Sequence, residues 1–327
     1  MQTTDSEDSL PVPKYEELQL APGGARSGWH VFGAQDQVGR LNLQTPDRVI
    51  SASRLIVTGE VFSLNLDLLV INPPLFGRGA PIHTVIDARD ECEFDDKIDN
   101  YYPQFSSQWD SLGHFGYSPD NFYNGATADQ VASGERNTIE HWARRGIAGR
   151  GVLLDIETLF AEREGGYNPG QEVRITVDDL EKARQLANVD WIRGDIVLLH
   201  TGYLSWYAQQ NADMRKQIAT ADPLTSIGLD RGAEMLAYLW DTGIAGIAAD
   251  NPAVEVMPFD LRPNSWPYGT LHGCLIGQLG MAVGELWWLQ DLAESCRRDS
   301  RYEVFLTSAP IHLPGGIGSP ANALAIR

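Results

Sequence analysis

The residues best suited to chemistry lie between Gln104 and His114, in the run QFSSQWDSLGH. Written as a strand, whose side chains alternate between two faces, it sets Gln104, Ser106, Gln108 and Asp110 on one face. Phe105 and Trp109 fall on the other. A helix would separate Gln108 from Asp110 by about 200° and mix polar with aromatic residues on both sides. The strand is the better reading. One face is then dry; the other carries two amides and a carboxylate, with His114 four residues after Asp110. Gly113 and Gly116 let the chain turn there. A polar face of this kind either meets water or a hydrogen-bond network, or surrounds a divalent ion or polarised substrate. Asp and His are ordinary ligands for such ions, and Gln adds a hard, neutral carbonyl oxygen.

The segment resembles the metal-binding signature of the cyclase superfamily, which includes kynurenine formamidase and isatin hydrolase and reads H-x3-H-x-D-x3-H in those branches. Gln104 and Gln108 stand at the two leading His positions, while Asp110 and His114 match directly. The glutamine form, Q-x3-Q-[WF]-D-x3-H, is similar to that of the branch containing trans-dienelactone hydrolase. GIAGRGVLLDI (146–156), RGDIVLLHTGY (193–203), LHGCLIGQLGMAVGEL (271–286) and TSAPIHLPGGIGSPANALAI (307–326) resemble family blocks in family order. The resemblance therefore runs from residue 30 to residue 327.

It implies that Gln104, Gln108 and Asp110 occupy metal-binding positions, that His114 moves protons, and that His272 and Glu285 complete the metal shell. It also implies one divalent ion, Zn or Mn, a swivelling β/β/α domain, and assembly as dimers or tetramers. Amides are poorer zinc ligands than imidazoles, so oxygen-preferring Mn²⁺ gains ground. The leading expectation is a metal-dependent hydrolase that opens a lactone, cyclic amide or related acyl bond, with His114 and Asp110 as catalytic residues. A second reading needs no metal: the glutamine amides polarise the substrate while Asp110 and His114 do acid–base work. A third is a non-catalytic ligand-binding or assembly member of the family.

Other candidates are less patterned. On one continuous helix His272 and Glu285 would point about 220° apart, so they converge only if that helix ends near Gly280 or Gly284. Asp250 closes a buried-type strand, where side chains commonly face a site, and is a candidate substrate contact or a structural cap. Arg78, His83 and Trp109 are further candidate substrate contacts, although Trp109 facing away would merely stiffen the strand. His200 reads as a packed strand-end residue. The PGGIGSP loop (314–320) lacks the G-K-[ST] ending of a phosphate loop, and neither G-x-S-x-G nor H-E-x-x-H occurs.

The positioning elements read as mixed α/β, a mixed sheet with packed helices. Helical spacing covers 46–60, 137–146, 176–189 (with Thr176 as N-cap) and 231–243. Alternation marks 61–69 as a strand, and apolar runs at 151–156, 195–203 and 245–250 mark buried strands. Residues 72–81 form a loop, and the acid-rich stretch 87–99 a solvated loop. Residues 1–28 read as a flexible arm, disordered or draped over a neighbouring surface, and 29–327 as one catalytic domain.

Forty-four acidic residues against 25 Lys plus Arg give a net charge of −19. That charge disfavours nucleic acid as a partner and leaves a small-molecule substrate. Cys92, Cys274 and Cys296 form no C-x2-C pair, which argues against structural zinc and a disulfide framework. No apolar run approaches the ~18 residues of a membrane span and the N-terminus lacks signal-peptide character, so a cytoplasmic enzyme without membrane contact is expected.

Overall fold

The computed structural model describes residues 11–327. Its strands of three or more residues are, in chain order, β1 (Val61–Ser63), β2 (Ile82–Ala88), β3 (Glu93–Asp99), β4 (Gln108–Asp110), β5 (Ile147–Asp155), β6 (Ile196–His200), β7 (Gly246–Ala249), β8 (Ala282–Glu285), β9 (Glu303–Ser308), β10 (Gly318–Pro320) and β11 (Ala323–Ile326). Apart from β2 and β3, these form a nine-stranded sheet ordered β10-β4-β8-β7-β6-β5-β9-β11-β1. Strands β5 to β8 are parallel. Antiparallel neighbours extend the sheet on both sides. The fold is mixed α/β.

Consecutive residues of β6 and β7 are all buried. Because neighbours on a strand face opposite ways, the sheet must be covered on both sides, and runs such as IVLLH follow from that. The helix Val177–Leu186 starts in a capping box: Thr176 Oγ1 accepts the Asp179 N–H at 3.2 Å, and Asp179 accepts the Thr176 N–H at 2.9 Å. The helix Ala233–Asp241 buries Met235, Leu236, Leu239 and Trp240. No helix among the described residues is long and apolar enough to cross a membrane.

Three local expectations need correction or sharpening. The stretch 87–99 is not a loop: β2 and β3 pair as a hairpin, with Asp87 opposite Phe94 and His83 opposite Ile98. Every residue of β3 is exposed, so the stretch is solvated as expected, but its backbone is paired rather than irregular. The strand expected over 61–69 stops at Ser63, because the Leu66 N–H is captured by Ser107 Oγ at 2.7 Å. Residues 11–28, expected in a flexible arm either disordered or draped, take the draped form and lie against the body. Tyr15 and Leu18 are buried, the Tyr15 N–H donates to Asp241 Oδ1 at 2.8 Å, and Trp240 Nε1 donates to the Pro13 carbonyl. The remainder of that arm, residues 1–10, lies outside the described residues.

One close approach matters for the site. A Cβ on Gly228 would collide with the backbone of Glu255 and Val256, and backbone cannot swing aside as a side-chain tip can. Gly228→Ala is expected to cost about 1–3 kcal/mol, the usual penalty of overpacking. An unchanged urea midpoint would contradict that close approach.

Candidate active site

The site forms where β4 meets β8, at the carboxyl end of the parallel strands, the usual place for ligands in such sheets. Gln108 lies opposite Glu285 and Asp110 opposite Val283, so alternation gives Gln108, Asp110 and Glu285 a common face. Trp109 takes the other face. It is fully buried, packs edge-on against Trp287 and Trp142 with ring centroids 4.8 and 6.1 Å away, and donates from Nε1 to Ser308 Oγ at 2.9 Å. It anchors the strand and has no access to a ligand.

His272 arrives on a helical turn that continues as a π-type turn over Gly273–Gln278. The chain reverses at Gly280, φ 63°, and enters β8. That break lets two residues converge that one helix would point apart. The carboxylate oxygens of Asp110 and Glu285 and an imidazole nitrogen of His272 all lie within 4.8 Å of one another. Gln108 Nε2 donates to Glu285 Oε2 at 2.6 Å. Both oxygens of Asp110 and Oε1 of Gln108 are buried with no hydrogen-bond partner among the described residues. Buried acceptors are normally satisfied, so three together create a strong demand for a cation or donor. Burial raises the Asp110 pKa to about 6, against the opposing pull of His114.

Glu255, which sequence reasoning passed over, braces the cluster. It is fully buried. Its carboxylate accepts from His272 Nδ1 at 2.7 Å, the N–H groups of Leu271 and His272 at 2.8 and 2.9 Å, Thr270 Oγ1 at 2.9 Å, and Arg231 Nε at 3.3 Å. His272 Nε2 faces Glu285 Oε1 at 3.0 Å. Burial works against charge on this imidazole, but the hydrogen bonds to Glu255 and Glu285 outweigh it and hold the pKa well above its ordinary value. The only signal for Glu255 in the sequence was an acid inside the apolar run AVEV. Its aim depends on Val254, held at φ 54°, a conformation that β-branched residues rarely adopt.

His114 Nε2 lies 3.8 Å from Asp110 Oδ1. Burial lowers its pKa, which favours the neutral imidazole able to accept a proton. A cavity of about 220 Å³ opens beside His114, His272 and Glu285; Phe76, Phe115 and Phe259 are among its walls, and Arg78 is its one Lys or Arg.

The remaining candidates separate. Gln104 does not belong to the strand: Pro103 starts a 3-10 turn over Pro103–Phe105, and β4 begins only at Gln108. Its amide nevertheless fills the space over Gly318, which pairs with Asp110. His83 is in the exposed hairpin beside Asp96, 3.0 Å away, outside the cavity. Asp250 is buried and accepts from the Thr201 N–H at 2.7 Å and Thr201 Oγ1 at 2.6 Å, again outside the cavity. It belongs to a second buried network at the ends of β5 and β6. There His200 lies 3.1 Å from Asp155, which also receives Arg297 Nε at 2.6 Å. Arg297 bonds Glu157 as well, at 2.8 Å, so both carboxylates already have a cation of the chain itself as a partner.

A mixed sheet with a buried Asp–His–Glu cluster at its carboxyl edge defines a class that comparison narrows. The family model described as putative cyclase matches residues 70–256, and the chain belongs to that cyclase family. A crystal structure described as a novel cyclase is 33% identical, with a TM-score of 0.80 over 92% of this chain and 99% of that one. Isatin hydrolase A from Ralstonia solanacearum (TM-score 0.60, 16% identity, 86% of this chain and 98% of that one) shares the fold. So does isatin hydrolase A from Labrenzia aggregata bound to benzyl benzoate (TM-score 0.59, 16% identity, 85% and 97%). No curated protein matches the chain.

Proposed function

We propose that the protein is a metal-dependent hydrolase that opens a lactone, cyclic amide or related acyl bond of a small molecule. The observation that carries this is the buried Asp110–His272–Glu285 cluster, in which both Asp110 oxygens lack a hydrogen-bond partner, with the unpartnered Oε1 of Gln108 on a residue of the same strand face. The donor set fits a divalent ion. Asp110, His272 and Glu285, with the Gln108 carbonyl and the nearby Gln104 amide, would hold it, and their oxygen-rich character suits Mn²⁺ as well as Zn²⁺. Such an ion, when bound, supplies a Lewis acid for the acyl carbonyl and a lowered pKa for water.

The chain's own residues do the rest. Glu255 accepts the His272 Nδ1 proton, which fixes the tautomer and turns the Nε2 lone pair toward Asp110 and Glu285. His114, neutral and at the cavity wall, takes a proton from the attacking water at Nε2 and returns it to the leaving oxygen or nitrogen. Phe115 and Phe259 hold the apolar part of the substrate and exclude bulk water. The metal-free reading is left with one Gln108 N–H fewer to offer a substrate, because the amide already donates one to Glu285.

The test is a panel of lactones, aryl formamides and isatin, assayed with metal-loaded and chelated protein. His114→Ala should lower turnover by about 10²–10⁴-fold, the range for losing a positioned acid–base group, with metal content unchanged. No turnover across the panel by the loaded protein would favour the non-catalytic reading instead.

A further inference from the structure

Arg78 does more than close the cavity wall. It comes from the loop 72–81, and one guanidinium nitrogen, Nη1, donates to the Gln104 carbonyl. That bond orients the group and leaves Nε and Nη2 without a hydrogen bond to any described residue. No carboxylate of the described residues forms an ion pair with it, although the chain carries 44 acidic residues. The guanidinium lies over the Phe76 ring, 5.1 Å from its centroid, and so is held by a face contact while its edge stays open. An open Nε/Nη2 edge is the part of arginine that matches a carboxylate with two parallel hydrogen bonds.

The same cavity has Glu285 in its wall, with Asp110 close to Glu285, and the charge of Arg78 reaches Asp110 and His114. Phe76, Phe115 and Phe259 are among its walls. At about 220 Å³ the space is below the usual range for drug-sized ligands and suits a body of one ring.

We propose that Arg78 is a specificity-determining residue: it selects substrates in which a single ring or short acyl body carries a carboxylate. The proposal rests on the hydrolase reading for the word substrate, but the anion subsite itself can be measured without turnover.

The experiment is calorimetric binding of benzoate and of neutral, isosteric benzamide to the full-length chain, metal-loaded and metal-free. Variants Arg78→Met and Arg78→Lys are measured alongside. Wild type should bind benzoate at least about 10-fold tighter than benzamide. Arg78→Met should erase that preference, and Arg78→Lys should keep only part of it, because charge survives while the fork is lost. A role confined to holding the Gln104 turn would move both ligands together and leave the ratio unchanged. Equal affinities in wild type, or a benzoate preference that survives Arg78→Met, would overturn the proposal. A benzoate preference lost in Arg78→Met, in a protein that hydrolyses nothing in the acyl panel, would sustain the anion subsite and remove the hydrolase reading.

Discussion

Asp110→Asn is expected to lower turnover by at least about 10²–10³-fold, the loss seen when one preorganised charge-stabilising group is removed, without destabilising the metal-free fold. The two effects part company for a physical reason. Asn keeps the shape of Asp and stays on the polar face of β4, so Trp109 and its partners behind the strand are undisturbed. It lacks the negative charge that a cation needs, and it brings an N–H₂ group into a cluster of unsatisfied acceptors. Burial and the neighbouring Glu285 both oppose ionisation of Asp110, so removing that charge relieves the empty cluster. The chelated variant should therefore unfold at the same temperature as wild type or higher, the usual trade between stability and function at a charged site. Turnover within tenfold of wild type, or a clear fall in the unfolding temperature, would contradict this account of Asp110.

Glu255→Ala should have the opposite signature, with stability falling first. The substitution strips hydrogen-bond acceptors from His272, Leu271, Thr270 and Arg231 at once. Removing one partner of a buried charged network costs about 3–5 kcal/mol, because the remaining charge is left uncompensated. That is a large share of a typical domain's stability. A variant that still folds loses the group that orients His272, and metal affinity should fall by about 10–100-fold, as for other orienting partners of metal ligands. Glu255→Gln keeps the volume but sets an N–H₂ group against donors, so it should fall between Glu255→Ala and wild type. Denaturant unfolding and metal titration read both effects. A Glu255→Ala protein within about 1 kcal/mol of wild type, with unchanged metal affinity, would show that the network is not a brace.

The parts legible in the sequence were those governed by local rules. Alternation across Gln108, Trp109 and Asp110 correctly separated the polar face from the aromatic one, because a strand's period is a property of the strand alone. The apolar runs of β5, β6 and β7 and the N-cap at Thr176 were legible for the same reason. Gln104 was misplaced because Pro103 turns the chain before β4 begins, and alternation cannot be continued through a turn. Glu255 was invisible because its role depends on partners brought in by another loop and on the unusual backbone at Val254. The separation of Asp250 and His200 from the cavity beside His114 also follows from sheet order. Two networks form at the same edge of the sheet, and Arg297, from a distant helix, is what gives the carboxylates of one of them a cationic partner.

The most direct test is equilibrium metal binding to chelated wild type and Asp110→Asn, followed by elemental analysis and assay of the reloaded protein. The expected result is one Zn²⁺ or Mn²⁺ per wild-type chain, activity restored in proportion to that ion, and no comparable binding by Asp110→Asn. Full activity in protein shown to be metal-free, or an ion bound equally well by Asp110→Asn, would contradict it.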